Sequence, residues 1–230
     1  MSRSPRRRTT SVGPEARTLG ANLTRGNSEV TNVTTGLEVA YLRDRDRWRA
    51  RGSVLRTTTD GEETANRIRS VLQYDLFPTD HGYIFARGTG MSNRPAGIRN
   101  RFVVGTGGGY DVVRRDRLGV SLEAGATHLT EEFVDRTTDD HFNVLAAQNL
   151  EFEVGEDTRL TQNLEVQPRV DDLSDVVAEA QAALSTTLVG DLGLRVSITA
   201  DYESEPFDPA DEEPRESLDT TFVTGITYTF

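Results

Sequence analysis

The chain of 230 residues contains no cysteine, and although 26 of its residues are basic, none is lysine. Without cysteine there are no disulfides, no thiolate catalysis and no cysteine-bound metal. Three widely separated histidines, His81, His128 and His141, leave no histidine-rich metal site to read. Long apolar runs are missing too: the longest stretches free of charge, Ala180 to Gly190 and Thr220 to Phe230, hold 11 residues each. A spanning helix needs about 20, so transmembrane helices are excluded. The acids outnumber the bases, 37 to 26, for a net charge of -11. That excess repels nucleic-acid phosphate, so nucleic acid is not an expected partner. The exclusive use of arginine has two readings. A GC-rich or salt-adapted genome would drive lysine out; alternatively, guanidinium groups suit an enclosed lattice of ion pairs, because they stay charged and grip a carboxylate with two N–H groups at once.

What the sequence does have begins with a basic N-terminal segment, residues 1–16, in which Arg3, Arg6, Arg7 and Arg8 stand among Ser, Thr and Pro. Nothing in it can be buried, so it is expected to be disordered. It looks like the first part of an export signal, but no apolar core follows. The expectation is therefore that the native start is missing or altered, or that the protein is not exported.

From residue 17 to residue 230 the pattern has period two. Leu218, Thr220, Phe222, Thr224, Ile226, Tyr228 and Phe230 share one face, and Asp219, Thr221, Val223, Gly225, Thr227 and Thr229 the other. Only a strand separates them this way. The same alternation marks strands at Val33 to Arg43, Arg47 to Leu55, Arg67 to Phe77, Tyr83 to Thr89, Arg99 to Val113, Leu118 to Ala126, Phe142 to Val154, Thr158 to Val166 and Leu192 to Glu203. The alanine-rich Val176 to Val189 would also serve as a helix, but its neighbours are strands, and a helix there would leave a sheet edge unpaired. With an opening strand at Thr18 to Arg25 the count is 12, an even number that suits an all-β, up-and-down antiparallel barrel. Short turns are expected at Asp44 to Asp46, Pro78 to Asp80, Arg114 to Arg117, Gly155 to Glu156 and Gly190 to Asp191. Longer polar loops are expected at Met91 to Gly97, Thr130 to Asp140, Pro168 to Asp175 and Ser204 to Glu216, giving two unlike ends. If Gly155 and Glu156 make the tight turn, Gln148 and Gln162 lie nearly opposite and bond across their strands.

Alternation does not say which face points outward. A soluble barrel carrying an apolar ligand would turn its apolar face inward; a transmembrane barrel turns it to lipid. Three features favour the membrane. Twelve strands enclose more volume than this apolar set fills, whereas a charged, hydrated interior tolerates the width. Aromatic residues gather near the short turns: Tyr41, Trp48, Tyr74, Phe77, Tyr83, Phe85, Tyr110 and Phe152. Such a ring resembles an interfacial girdle. Finally Ile226, Tyr228 and Phe230 resemble the C-terminal signal read by the barrel-assembly machinery, which makes that machinery and membrane lipid the expected partners.

Specific segments then occur in a recognisable order. They are Gly26-Asn27-Ser28-Glu29-Val30-Thr31-Asn32, Asp46-Arg47-Trp48-Arg49-Ala50-Arg51, Asp60-Gly61-Glu62-Glu63-Thr64-Ala65-Asn66-Arg67, Leu72-Gln73-Tyr74-Asp75-Leu76-Phe77, Gly105-Thr106-Gly107-Gly108-Gly109-Tyr110 and Thr161-Gln162-Asn163-Leu164. In this order the chain resembles domain-of-unknown-function family 481, the YdiY-like salt-induced outer membrane proteins. The resemblance covers residues 17 to 230. It implies an outer membrane barrel of Gram-negative type, porin-like in architecture, with no assigned chemistry.

Candidate chemistry is sparse. Gly105, Gly107 and Gly109 invite a phosphate-loop reading, but they recur every second residue with no helix following; small inward residues making room for long side chains opposite fit better. His128 and His141 flank an acidic segment with Glu131, Glu132, Asp135, Asp139 and Asp140. A lipid hydrolase needs serine, histidine and an orienting group together, and no Gly-x-Ser-x-Gly elbow occurs. The same acids, with Asp208, Asp211, Glu212 and Glu213, offer oxygen ligands for Ca²⁺ without the spacing of a dedicated loop; a solvated acidic rim is the plainer reading. The richest constellation is a lumen charge network of Arg47, Arg49, Arg51, Arg67, Arg69, Arg99, Arg101, Arg159 and Arg195 with Glu123, Glu151, Glu153 and Glu165, joined by Glu38, Asp75, Asp111, Glu179, Asp201 and Asp219. The arginine-rich strands would repel each other unless acids cross the lumen to meet them. A closed ion-pair network and a selective pore are both compatible with it. The expected role is non-enzymatic and cofactor-free: envelope integrity, or passive small-solute passage under salt or osmotic stress.

Overall fold

The computed structural model describes residues 16–25, 29–205 and 217–229. The basic segment before residue 16, the acids Asp208, Asp211, Glu212 and Glu213, and Phe230 lie outside the described residues. Twelve strands make up the fold: β1 (Ala16–Arg25), β2 (Glu29–Arg43), β3 (Asp46–Thr59), β4 (Glu62–Leu76), β5 (Gly82–Asn93), β6 (Ile98–Arg115), β7 (Leu118–Phe133), β8 (Thr138–Glu153), β9 (Thr158–Pro168), β10 (Val176–Val189), β11 (Leu192–Glu203) and β12 (Leu218–Thr229). Each pairs antiparallel with its sequence neighbours, and β1 pairs with β12 through registers such as Gly20 opposite Gly225, so the sheet closes into a barrel. Closure gives every strand two neighbours, although β1 and β12 meet only over Ala16 to Gly20 and Gly225 to Thr229. The alanine-rich segment is strand β10, because its N–H and C=O groups are taken by β9 on one side and β11 on the other.

The outer surface is apolar and the interior charged. Val33, Leu37, Ile68, Leu72, Phe102, Val104, Phe142 and Phe222 are among the large exposed hydrophobic residues, while Asp75 and Glu123 are buried inside. This is the reverse of what a soluble carrier of an apolar ligand requires, and it is the arrangement of a barrel surrounded by hydrocarbon. Trp48, Tyr41, Tyr110, Phe152 and Tyr228 stand exposed on the outer face near the short-turn end, with Tyr74 packed on Trp48 at a centroid separation of 4.6 Å. Ile226 shares that outer face with Tyr228. Three members of the expected girdle do not belong to it. Phe77, Tyr83 and Phe85 are buried in the lumen and pack with Leu145. They occupy the same parity as Gln73 and Asp75, or as Arg87, so clustering near a turn did not reveal their side of the sheet.

The loops are shorter than polarity suggested. The expected loop Thr130 to Asp140 is mostly strand: β7 continues to Phe133 and β8 resumes at Thr138. Polar residues here mark height above the apolar belt, where a strand is hydrated, and not a break in pairing. Between β3 and β4 only Asp60 and Gly61 turn the chain, both with positive φ (52° and 87°), as a two-residue hairpin requires. Met91 to Gly97 splits into the end of β5 and a single 3-10 turn at Arg94–Ala96. Of the connections at this end, 169–175 and 204–217 remain long.

One register expectation fails. The β8–β9 turn closes with Val154 N–H donating to Thr158 O at 2.9 Å, which places Gln148 opposite Leu164 and Gln162 opposite Leu150. The two amides are diagonal, and no hydrogen bond between them or to another group occurs among the described residues. Gln148 is instead flanked across both neighbouring strands by Leu122 and Leu164 on the outer face. An amide unpaired in an apolar setting costs about 1–3 kcal/mol. Gln148→Leu should therefore raise the urea stability of the barrel in lipid vesicles by roughly that amount; a loss of stability would show that the amide has a partner in the membrane.

Candidate functional site

Period two sends every second side chain of β3 to β7 into the lumen, and seven of these positions on β3 to β6 are arginine. Arg47, Arg49 and Arg51 come from β3, Arg67 and Arg69 from β4, Arg87 from β5 and Arg101 from β6. Most of the facing acids come from the other half of the ring: Glu123 and Glu131 of β7, Glu165 of β9, Glu179 of β10, Asp201 and Glu203 of β11, and Asp219 of β12. The lumen therefore has a basic wall and an acidic wall.

Two storeys of contacts join the walls. The lower one, toward the short turns, centres on two buried carboxylates. Asp75, with no solvent exposure, accepts hydrogen bonds from Arg47 Nε at 2.7 Å and Gln73 Nε2 at 2.8 Å, and Arg49 Nη2 lies 3.2 Å away. Glu123 accepts from Tyr83 Oη at 2.9 Å, Arg87 Nη2 at 2.8 Å, Gln73 Nε2 at 3.2 Å and Arg49 Nη2 at 3.3 Å. Arg47 also lies over Phe77 and Tyr83, its Cζ 5.0 and 5.2 Å from the ring centroids. Charges so deeply placed are tolerable only because each carboxylate gathers several donors.

The glycine series makes the lower storey possible. A Cβ on Gly109 would fall 2.2 Å from Tyr83 Cζ, and one on Gly107 would fall 2.8 Å from Phe85 Cζ. The small residues of β6 thus receive the rings of β5, which is a packing role and not a phosphate cradle.

The upper storey spans the barrel. Arg69 pairs with Glu179 between β4 and β10, strands six places apart in a ring of twelve and hence diametrically opposite. Arg67 reaches Asp201 at 2.6 Å and Asp219 at 3.1 Å. Arg101 reaches Glu203 at 2.6 Å and Glu131 at 2.9 Å. Arg87 bridges the storeys, holding Glu123 with one Nη and Glu165 with the other. Gln167 then donates to Glu165 at 2.7 Å and accepts from Thr127 Oγ1 at 2.7 Å.

Other expected members sit at the margins. Arg51 pairs with Glu38 at 3.0 Å, and Arg159 with Glu151 at 3.0 Å and Glu153 at 3.3 Å near the short-turn end. Arg195 donates to Ser185 Oγ at 3.3 Å and has no carboxylate partner among the described residues. Arg99 leaves the set. The register slips between Ile98 and Asn100, and Arg99 pairs with Glu132 at 3.0 Å, on the face opposite Glu131. Alternation was carried straight through a bulge that resets it. The residues that the sequence pattern missed are Arg87, Gln73, Tyr83, Glu131 and Glu203. Arg87 shares parity with Tyr83 and Phe85, and the girdle reading of those rings hid its inward position.

The histidines and loop acids form separate local contacts. His128 Nε2 lies 2.7 Å from Asp140 on the outer face, and His141 Nδ1 lies 3.1 Å from Asp139. No serine hydroxyl bonds to a histidine among the described residues. Asp135 is capped by Thr137 Oγ1 and its backbone N–H, Asp171 by Arg169, and Asp172 by Ser174 Oγ and its N–H, and these hydrogen bonds hold all three carboxyls below their ordinary range. Each carboxylate is fixed in its loop through one oxygen, and no group of three or more metal-binding side chains occurs among the described residues.

Comparison with known proteins agrees with this architecture. Uncharacterized protein YdiY of Escherichia coli (strain K12) is 19% identical over 187 residues, covering 81% of this chain and 73% of its own. Among solved structures, the NanC porin superposes with a TM-score of 0.54 at 11% identity, covering 93% of this chain and 98% of that one. The KdgM porin gives 0.50 at 11% identity, covering 94% and 99%. These likenesses concern the fold. A family model matches residues 17–230, and the chain therefore belongs to the family of proteins of unknown function DUF481.

Proposed function

We propose that this chain is a non-enzymatic outer membrane barrel whose cross-lumen ion pairs keep the pore narrow, so that it supports envelope integrity and lets only small solutes pass. The observation that carries this reading is the Arg69–Glu179 bridge between diametrically opposite strands, reinforced by Arg67 with Asp201 and Arg101 with Glu203. An open porin leaves its centre free; here guanidinium and carboxylate groups meet in it. A connection with salt or osmotic stress follows from the same groups, because ion pairs in contact with water weaken as ionic strength rises and screening shortens the reach of each charge.

Planar-bilayer conductance tests the proposal. The unmodified protein should conduct weakly. Arg49→Ala combined with Arg69→Ala should raise conductance several-fold and shift selectivity toward cations, since Glu179 loses its arginine and Asp75 and Glu123 each lose one of theirs. A large, stable conductance in the unmodified protein, unchanged by the substitutions, would overturn the occluding role.

A further inference from the structure

The upper storey encloses a cavity of about 110 Å³, bordered by the four arginines and four carboxylates of its bridges and by apolar side chains such as Val103, Leu129 and Val177. Its opposed charges are equal in number and segregated, with the arginines on β4 to β6 and the acids on β9 to β11. Each lining arginine pairs with a lining carboxylate, Arg67 with Asp201, Arg69 with Glu179, Arg87 with Glu165 and Arg101 with Glu203, so the two charged walls meet around the cavity.

We propose that this cavity binds a small zwitterion, its carboxylate toward the arginines of β4 to β6 and its ammonium toward the acids of β9 to β11. A simple anion would meet the acidic wall, and a simple cation the basic wall; only a molecule carrying both charges satisfies both. A cavity of about 110 Å³ has room for several water molecules, so a zwitterion the size of the shortest amino acids fits it. Val103, Leu129 and Val177 offer no hydrogen bonds, so orientation comes from the two charged walls, helped by the polar Thr89, Thr127, Gln167 and Tyr202 that also line the cavity. The proposal rests on the narrow-conduit reading and names the class of solute that such a conduit would favour.

The test uses the intact protein, purified in detergent and in vesicles, with glycine, acetate, methylammonium and acetamide as probes of similar size. In titration calorimetry glycine should bind at least ten times more tightly than the other three. Arg69→Gln with Glu179→Gln, which removes one charge from each wall, should abolish that preference while circular dichroism shows the barrel intact. Equal binding of glycine and acetamide by the unmodified protein overturns the site, even should the variant fail to fold. Vesicle swelling separates this from the parent reading. Glycine binding without entry of any probe supports the site and counts against the conduit; entry of all four probes at equal rates, with equal binding, supports the conduit and overturns the site.

Discussion

Glu123→Ala should destabilise the barrel by about 3–5 kcal/mol, the usual cost of removing one member of a buried ion-pair network. The carboxylate is 4% exposed and accepts from Arg49, Gln73, Tyr83 and Arg87. Its removal takes a carboxylate from Arg49 and Arg87, which keep only Asp75 and Glu165, and the acceptor from the Tyr83 phenol, while the aromatic layer of Phe77, Tyr83 and Phe85 limits how water can reach them. Urea unfolding in lipid vesicles, followed by tryptophan fluorescence from Trp48, measures the loss. Glu123→Gln should fall between the two, since it keeps an acceptor for Tyr83 and loses the charge. Combining Glu123→Ala with Arg87→Ala should cost less than the sum of the single changes, because the two groups touch at 2.8 Å. A loss below about 1 kcal/mol for Glu123→Ala would mean that water solvates Arg49 and Arg87 and that the lattice is not structural.

Gly107→Ala should also be strongly damaging. Its Cβ would fall 2.2 Å from the carbonyl oxygen of Ala124 and 2.7 Å from Gly125 Cα, both backbone atoms, as well as 2.8 Å from Phe85 Cζ. A ring can rotate away, but backbone cannot do so without parting β6 from β7. The expected cost is about 3 kcal/mol or failure to refold, at or above the upper end for overpacking. The neighbouring Gly108→Ala is the control, for its Cβ meets nothing nearer than Tyr83 O at 3.9 Å. That change should be neutral or stabilise by about 0.4–1 kcal/mol through the lower entropy of the unfolded chain. Equal effects of the two substitutions, read from urea midpoints, would refute the close approach of β6 and β7.

Much of this architecture was legible in one dimension, and the alternation of Leu192 to Glu203 or Leu218 to Phe230 shows why. A strand's two faces are set by consecutive residues, so lipid side and lumen side separate locally, and closure follows from an even series of such strands. Signals failed where a local pattern met a non-local event. The bulge at Arg99 reversed parity; the girdle near the second short turn merged outward Tyr74 with inward Phe77, Tyr83 and Phe85; polar strand ends between Thr130 and Asp140 imitated a loop.

Sequence alone placed most of the arginines and acids on one face of the sheet, because their positions recur with period two. Which acid meets which arginine was decided only by the closed ring. Arg69 and Glu179 are 110 residues apart and lie opposite because β4 and β10 are six strands distant in a barrel of twelve. Arg87, unremarkable beside Ala86 and Gly88, joins the two storeys because the glycines of β6 let Tyr83 and Phe85 lie flat beneath it and leave its two Nη groups free to reach Glu123 and Glu165. Pairing of this kind depends on distances across the lumen, which the shape of the barrel sets and no stretch of sequence encodes.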